Sequence, residues 1–284
     1  MMKKEKSGKK SSPVRKILIA FLTVCSLVNL YPFIYMIFYS FKSNEEIMFT
    51  NPFGAPLIWK AENYYNAWNN FNIPLYFRNS IIVTFIATLA VMVFALMFSY
   101  ATARMQWKFS GIASIYITTG LFIPAQIILI PLVIMVRDLK LTNSYASLIL
   151  PYVAFQLAFA CMVLEGFMRS IPGDLEEAAY IDGAGVFRSF FSVICPLVKP
   201  AIASVLLFTC INVWNEFTLA LVMISDEGHK TLPVGLVTFK GQFVTDWGGM
   251  GAALVMASIP TVIIYLILGD KLEQALSVGS GIKG

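Results

Sequence analysis

Only 13% of the 284 residues in this chain carry a charge, so the charged and polar side chains that interrupt its apolar stretches mark where chemistry can occur. Asp174, Glu176 and Glu177 stand together, followed by Asp182, Gly183 and the aromatic residues Phe187, Phe190 and Phe191. Acids in a helix's first turn are favoured by the macrodipole, and Pro172 suits that turn. Gly183 can stop the helix in a left-handed cap. Val186, Phe187, Phe190, Phe191 and Ile194 then recur with the spacing of one helical face, and Pro196 discourages further helix. A helix–Gly–helix unit over 174–194, acidic on one arm and aromatic on the other, is chemistry for docking rather than for bond breaking.

Other polar residues offer little catalytic machinery. Glu165 and Glu216 lie inside apolar stretches, where an ionisable group is a functional candidate because lipid solvates it badly. Glu165 is near enough to a stretch's end to reach the interface. Glu216, with Asn212 and Asn215, either lines a polar path for a hydroxyl-rich solute or ties helices together; Gln126 and Gln156 are of the same kind. His229 is the single histidine, and Cys25, Cys161, Cys195 and Cys210 show no C-x-x-C spacing, so no metal site is expected. There is no nucleophile constellation, no catalytic residue is expected, and the phosphate-cradling G-x-x-x-x-G-K-[ST] loop is absent. Gly183-Ala184-Gly185 follows an acidic helix and continues to Arg188, unlike a dinucleotide fingerprint.

The elements that must position these residues are membrane helices. Hydrophobic residues make up 58% of the chain, well above the norm for soluble domains. Six stretches approach the length of a spanning helix: Ile17–Phe41, Ser80–Ala103, Gly111–Val136, Tyr145–Met168, Ala201–Ile224 and Gly251–Gly269. The expected fold is therefore all-α and polytopic. Residues 1–16 form a basic tail able to touch anionic lipid, and 17–284 a single membrane domain including the 169–200 loop. The first stretch is too long for the core of a signal peptide and reads as a retained span. With six spans both termini share a side, and 14 of the 21 Lys and Arg fall on it. The positive-inside rule makes that side the cytoplasm. Nucleic acid is not an expected partner, since the basic excess clusters beside a span. Pro124, Pro131, Pro151 and Pro260 allow spans to bend. On the outside, Asn63–Asn70 reads as a short interfacial helix, and 225–250 as a Gly-rich loop that is either an adaptable contact surface or a solvated connector. On the inside, the 174–194 unit either lies on the bilayer or enters a partner's groove, although its acidic arm argues against anionic lipid.

Glu177-Ala178-Ala179, Gly183 and the apolar run to Pro196 resemble the EAA loop of ABC importer permeases, with Val193 and Cys195 where that pattern has Ile and Leu. IPGDLEEAAYIDGAG, WNEF at Trp214–Phe217, TLPVGL at Thr231–Leu236 and the closing SVGSGIKG resemble the maltose/oligosaccharide subfamily, its smaller permease in particular. The resemblance implies a type I importer architecture of six transmembrane helices in a bacterial plasma membrane. It implies a second permease, an ATPase dimer holding ATP and Mg, and an extracellular solute-binding protein, with no cofactor in this chain. It further implies that Glu177, Ala178, Ala179, Asp182, Gly183, Phe187 and Pro196 couple to the ATPase. Asn212, Asn215, Glu216 and Gln126 are the substrate-path candidates on their polar chemistry alone, since the resemblance implies that the larger permease supplies most sugar contacts. His229, Lys230 and Trp247 would meet the binding protein. The expected cargo is a sugar, with a modified solute such as a glycerol-phosphate ester as the alternative.

Overall fold

The computed structural model describes residues 13–241 and 245–280, with side chains from Val14 to Gly269. Most of the basic tail and the closing Gly281-Ile282-Lys283-Gly284 lie outside the described residues. In chain order the helices are α1 (Pro13–Ser40), α2 (Glu62–Asn70), α3 (Ile73–Ala103), α4 (Ser110–Thr119), α5 (Leu129–Asp138), α6 (Tyr145–Arg169), α7 (Asp174–Ile181), α8 (Val186–Ser189), α9 (Cys195–Leu197), α10 (Lys199–Trp214), α11 (Thr218–Met223), α12 (Leu232–Gly235) and α13 (Trp247–Ser280). Among the described residues the β structure is one isolated bridge, Lys240 to Thr245.

Among the described residues four helices are long and apolar enough to cross a membrane: Val14–Ser40, Ile73–Ala103, Tyr145–Arg169 and Trp247–Gly269. The two remaining apolar stretches are broken. In the third, α4 tightens through Gly120–Phe122 and opens at Ile123, which is extended; a residue before proline is pushed out of helical conformation, and Pro124 follows. In the fifth, α10 stops at Trp214 and α11 resumes at Thr218. Uninterrupted helices over Gly111–Val136 and Ala201–Ile224 are thus replaced by paired segments. The helix of the sixth stretch, α13, runs past its apolar span at the C-terminal end.

α3 and α6 pack together at the centre, α10 lies against both and against α13, and α1 touches α13. Small residues let the central helices approach: Val91, Ala95, Ala160, Cys161, Ala201 and Val205 form one buried cluster. None of the apolar core of α1 is buried.

At one end of the bundle the loops interlock. Asn79, fully buried, donates to the carbonyls of Gly228 and Lys230 (both 2.9 Å) and accepts from the Tyr145 hydroxyl at 2.8 Å. The Asn143 side-chain oxygen accepts from the amides of Ser225 and Asp226, and that of Asn44 from the amide of Trp247. Gly235 lies against the Tyr76 ring, and Gly248 against the Lys42 carbonyl and Asn63, so closely that a Cβ would collide. Gly235 and Gly248 therefore permit close packing of the chain at these two points. Replacing Asn79 with Ala strands two carbonyls and a hydroxyl. It should cost about 1–3 kcal/mol, read as a lower thermal unfolding midpoint of the detergent-solubilised protein.

Candidate functional site

The opposite end carries the 174–194 unit. Asp174, Glu176 and Glu177 occupy the first turn of α7. Pro172 stands ahead of that helix rather than inside it, because Gly173 is the cap. Gly183 has φ +80°, the left-handed region that L side chains disfavour. Its amide donates to the Tyr180 carbonyl, and the Ala184 amide to that of Ala179, the paired bonds of a glycine helix stop.

The second arm departs from a simple helix. After α8, residues Phe190–Ile194 widen into a π-helical turn, and the path continues through α9, which contains Pro196, before bending by 76° into α10. Pro196 does not end the helix: it sits in the first turn of α9, where a missing N–H costs nothing. The widened turn also splits the expected aromatic face. Phe190 and Ile194 are buried with Tyr100, Met168 and Val198, whereas Phe187 is 79% exposed and Phe191 65%.

The residue that fastens α7 is Glu176, not Glu177. Glu176 is the one buried residue of α7. Its Oε2 accepts from Arg104 Nε at 2.5 Å, and its Oε1 from the Tyr100 hydroxyl at 3.0 Å. The same guanidinium donates to the carbonyls of Ile171 (2.7 Å), Met168 (3.2 Å) and Pro172 (3.4 Å). Removing one partner of such a buried pair typically costs about 3–5 kcal/mol. Glu177, Ala178, Asp182, Gly183 and Phe187 are exposed, and Ala179 is half-buried. Beside Glu177 lies a recess of about 860 Å³ whose lining includes Lys108, Arg169 and Tyr180. Arg104 counts in the sequence only as an inward positive charge; its place at the end of a span, facing an acidic loop, was the available signal.

The intramembrane polar residues gather at the helix breaks. Glu216 lies at the α10–α11 break. It accepts from the Tyr152 hydroxyl at 2.5 Å and from the amides of Leu219 (2.8 Å) and Ala220 (3.1 Å), so it satisfies the free N–H groups of α11. Gln126, from the break in the third stretch, shares with Glu216 a cavity of about 50 Å³. Asn212 is exposed and donates to Gln156 at 3.4 Å, while Asn215, also exposed, bonds back to Ile211. Glu165 does not reach out to the interface. It is buried, and Arg169 (2.5 Å) and Ser114 (2.8 Å) come to it.

Of the expected outer contacts, Trp247 is exposed and His229 half-buried against Asp226 at 2.7 Å. Lys230 is engaged with Glu227. Among the described residues no three His, Cys, Asp or Glu side chains gather to hold a metal ion.

Residues 95–278 match the family of binding-protein-dependent transport system inner membrane components. The diacetylchitobiose uptake system permease of Streptomyces coelicolor is 35% identical over 263 residues, covering 92% of this chain and 87% of the relative. The trehalose/maltose transport system permease of Thermococcus litoralis is 32% identical over 273 residues, covering 94% and 96%. A solved bacterial ABC transporter that imports the acidic polysaccharide alginate contains a chain with the same fold. Its TM-score is 0.78 at 22% identity, covering 96% of this chain and 100% of that one.

Glu227, in the loop ahead of α12, is expected to make a pH-dependent contribution. The Lys230 ammonium, and then the Tyr76 hydroxyl at 2.5 Å, hold its carboxyl below the usual carboxylate range. A depressed pKa stabilises the fold at pH values above the unfolded value, and the contribution is lost as pH falls through the folded one. Acidification below about pH 4 should therefore raise hydrogen exchange in residues 225–232, and Glu227→Gln should show raised exchange already at neutral pH. Equal exchange in both proteins at neutral pH would refute this.

Proposed function

Because the chain belongs to the family of binding-protein-dependent transport system inner membrane components, we propose that it is one of two permease subunits of an ATP-driven importer for carbohydrates of oligosaccharide size. The observation that carries this proposal is the 174–194 hairpin. It is clamped from behind by Glu176 and Phe190 and presents Glu177, Ala178, Asp182 and Phe187 outward beside an open recess. A short acidic helix with small residues on its free face suits insertion into a groove of a second protein. That protein is the ATPase dimer, which holds ATP and Mg on the cytoplasmic side. The basic excess at the same end supports this orientation, with both termini inside.

The remaining surfaces fit the same assembly. Asn212, Asn215, Glu216 and Gln126 offer hydrogen-bonding groups within spans, suited to a hydroxyl-rich solute. A polar face exposed within hydrocarbon would be costly, and a water-filled path shared with the second permease relieves that cost. The exposed α1 supplies apolar surface for the same partner and for lipid. At the outer end Trp247 and His229 are contacts for a solute-binding protein, and Lys230 acts indirectly by bracing their loop. The diacetylchitobiose and trehalose/maltose relatives favour a sugar cargo.

The importer should copurify as a complex of both permeases with the ATPase. Its hydrolysis should rise when the binding protein is loaded from a panel of oligosaccharides; stimulation by none of them would sink the sugar assignment. Glu177→Lys, which reverses a docking charge, and Gly183→Pro, which a φ of +80° forbids, should each weaken ATPase association about tenfold or more with normal membrane insertion. Wild-type pull-down and uptake by both would remove the docking role.

A further inference from the structure

α7 would be a poor lever if it hung from its connections alone. Gly173 precedes it and Gly183 and Gly185 follow it, and a Cβ at any of the three would meet nothing within 4 Å, so these three positions add no side-chain packing of their own. Rigidity enters from the last turn of α3. Tyr100 and Arg104 are four residues apart and therefore share a helix face. Between them they hold both oxygens of Glu176. Arg104 also ties down the Met168, Ile171 and Pro172 carbonyls where α6 runs out, and the Tyr100 ring packs 4.8 Å from Phe190 on the second arm. Two side chains of one turn thus join α3, the end of α6 and both arms of the hairpin. The planar fork of arginine, with five donors, can serve the carboxylate and all three carbonyls together, one partner more than the three donors of a lysine ammonium can reach.

We propose that Arg104, gripping Glu176 on one side and the terminal α6 carbonyls on the other, is the positioning residue that carries movement of the ATPase-facing hairpin into the second and fourth spans. This rests on the proposed docking of that hairpin to the ATPase. Arg104 itself touches neither ATP nor cargo; its loss disconnects the helix that is pushed from the helices that must move.

The test uses the whole importer in lipid, in a background with the native cysteines replaced. One spin label is placed at Lys140→Cys, on the exposed turn ahead of α6, and one on the second permease, and distances are compared without nucleotide and after trapping with ATP and vanadate. The wild type should show a nucleotide-driven shift. Arg104→Met and Glu176→Gln should still copurify with the ATPase yet lose that shift, and the double variant should be no worse than the poorer single one, the mark of residues acting as a unit. Arg104→Lys should restore only part of the shift. A full shift in Arg104→Met, or additive losses in the double variant, would overturn the proposal. If Arg104→Met does not assemble, Tyr100→Phe and Arg104→Lys decide: a reduced shift in both supports the link, and a wild-type shift in either overturns it. Failure of the wild type itself to bind the ATPase would remove the docking assignment and this proposal with it, whereas failure confined to the variants bears on Arg104 alone.

Discussion

A helix that ends inside or beside hydrocarbon leaves backbone N–H and C=O groups with no water to receive them, and this chain ends helices there repeatedly. Its scarce charged side chains are placed at those ends. The Arg104 guanidinium donates to three carbonyls at and just beyond the end of α6, and the Glu216 carboxylate receives two amides at the start of α11. Each charge in turn needs a partner and finds one in a neighbouring helix: Glu176 for Arg104 and Tyr152 for Glu216. The breaks, the intramembrane charges and several contacts between spans are therefore one arrangement.

The two ends of the bundle use polar groups in opposite ways. At the end that carries residues 225–241, asparagine side chains bond to backbone across long sequence separations, and glycines let the chain pass against Tyr76 and Lys42. The result is an interlocked cap. At the opposite end the hairpin is flanked by glycines, touches the body at Glu176 and along the buried side of its second arm, and exposes the rest. A stiff end and a projecting end suit the proposed importer, in which the hairpin is the side that the ATPase would grip.

The spans were legible because apolar length is a strong signal, and the hairpin because Gly183 and the acids of α7 are local signals that tertiary contacts did not override. The breaks were only half legible. Pro124 announced a bend, but nothing in Asn215-Glu216-Phe217 distinguishes a helix stop from a polar face until Tyr152 is brought alongside. The choice between Glu176 and Glu177 was beyond local reading, since adjacent acids have equal claims. It was decided by Arg104, 72 positions away. The π-helical turn at Phe190–Ile194 likewise redistributed an aromatic stripe that ideal periodicity would have kept on one face.

The pairing of α1 with α13 carries a consequence for biogenesis. Among the described residues these are the first and last helices, and α1 buries none of its apolar core in this subunit. During synthesis α1 lies in the bilayer while more than 200 residues follow before α13. Until then its contacts are those of its last turns with residues 53–64: Tyr35 with Phe53, Phe38 with Trp59 and Ser40 with Tyr64. A nascent chain halted before Trp247 would therefore hold α1 by that end alone and leave the rest of the helix to lipid.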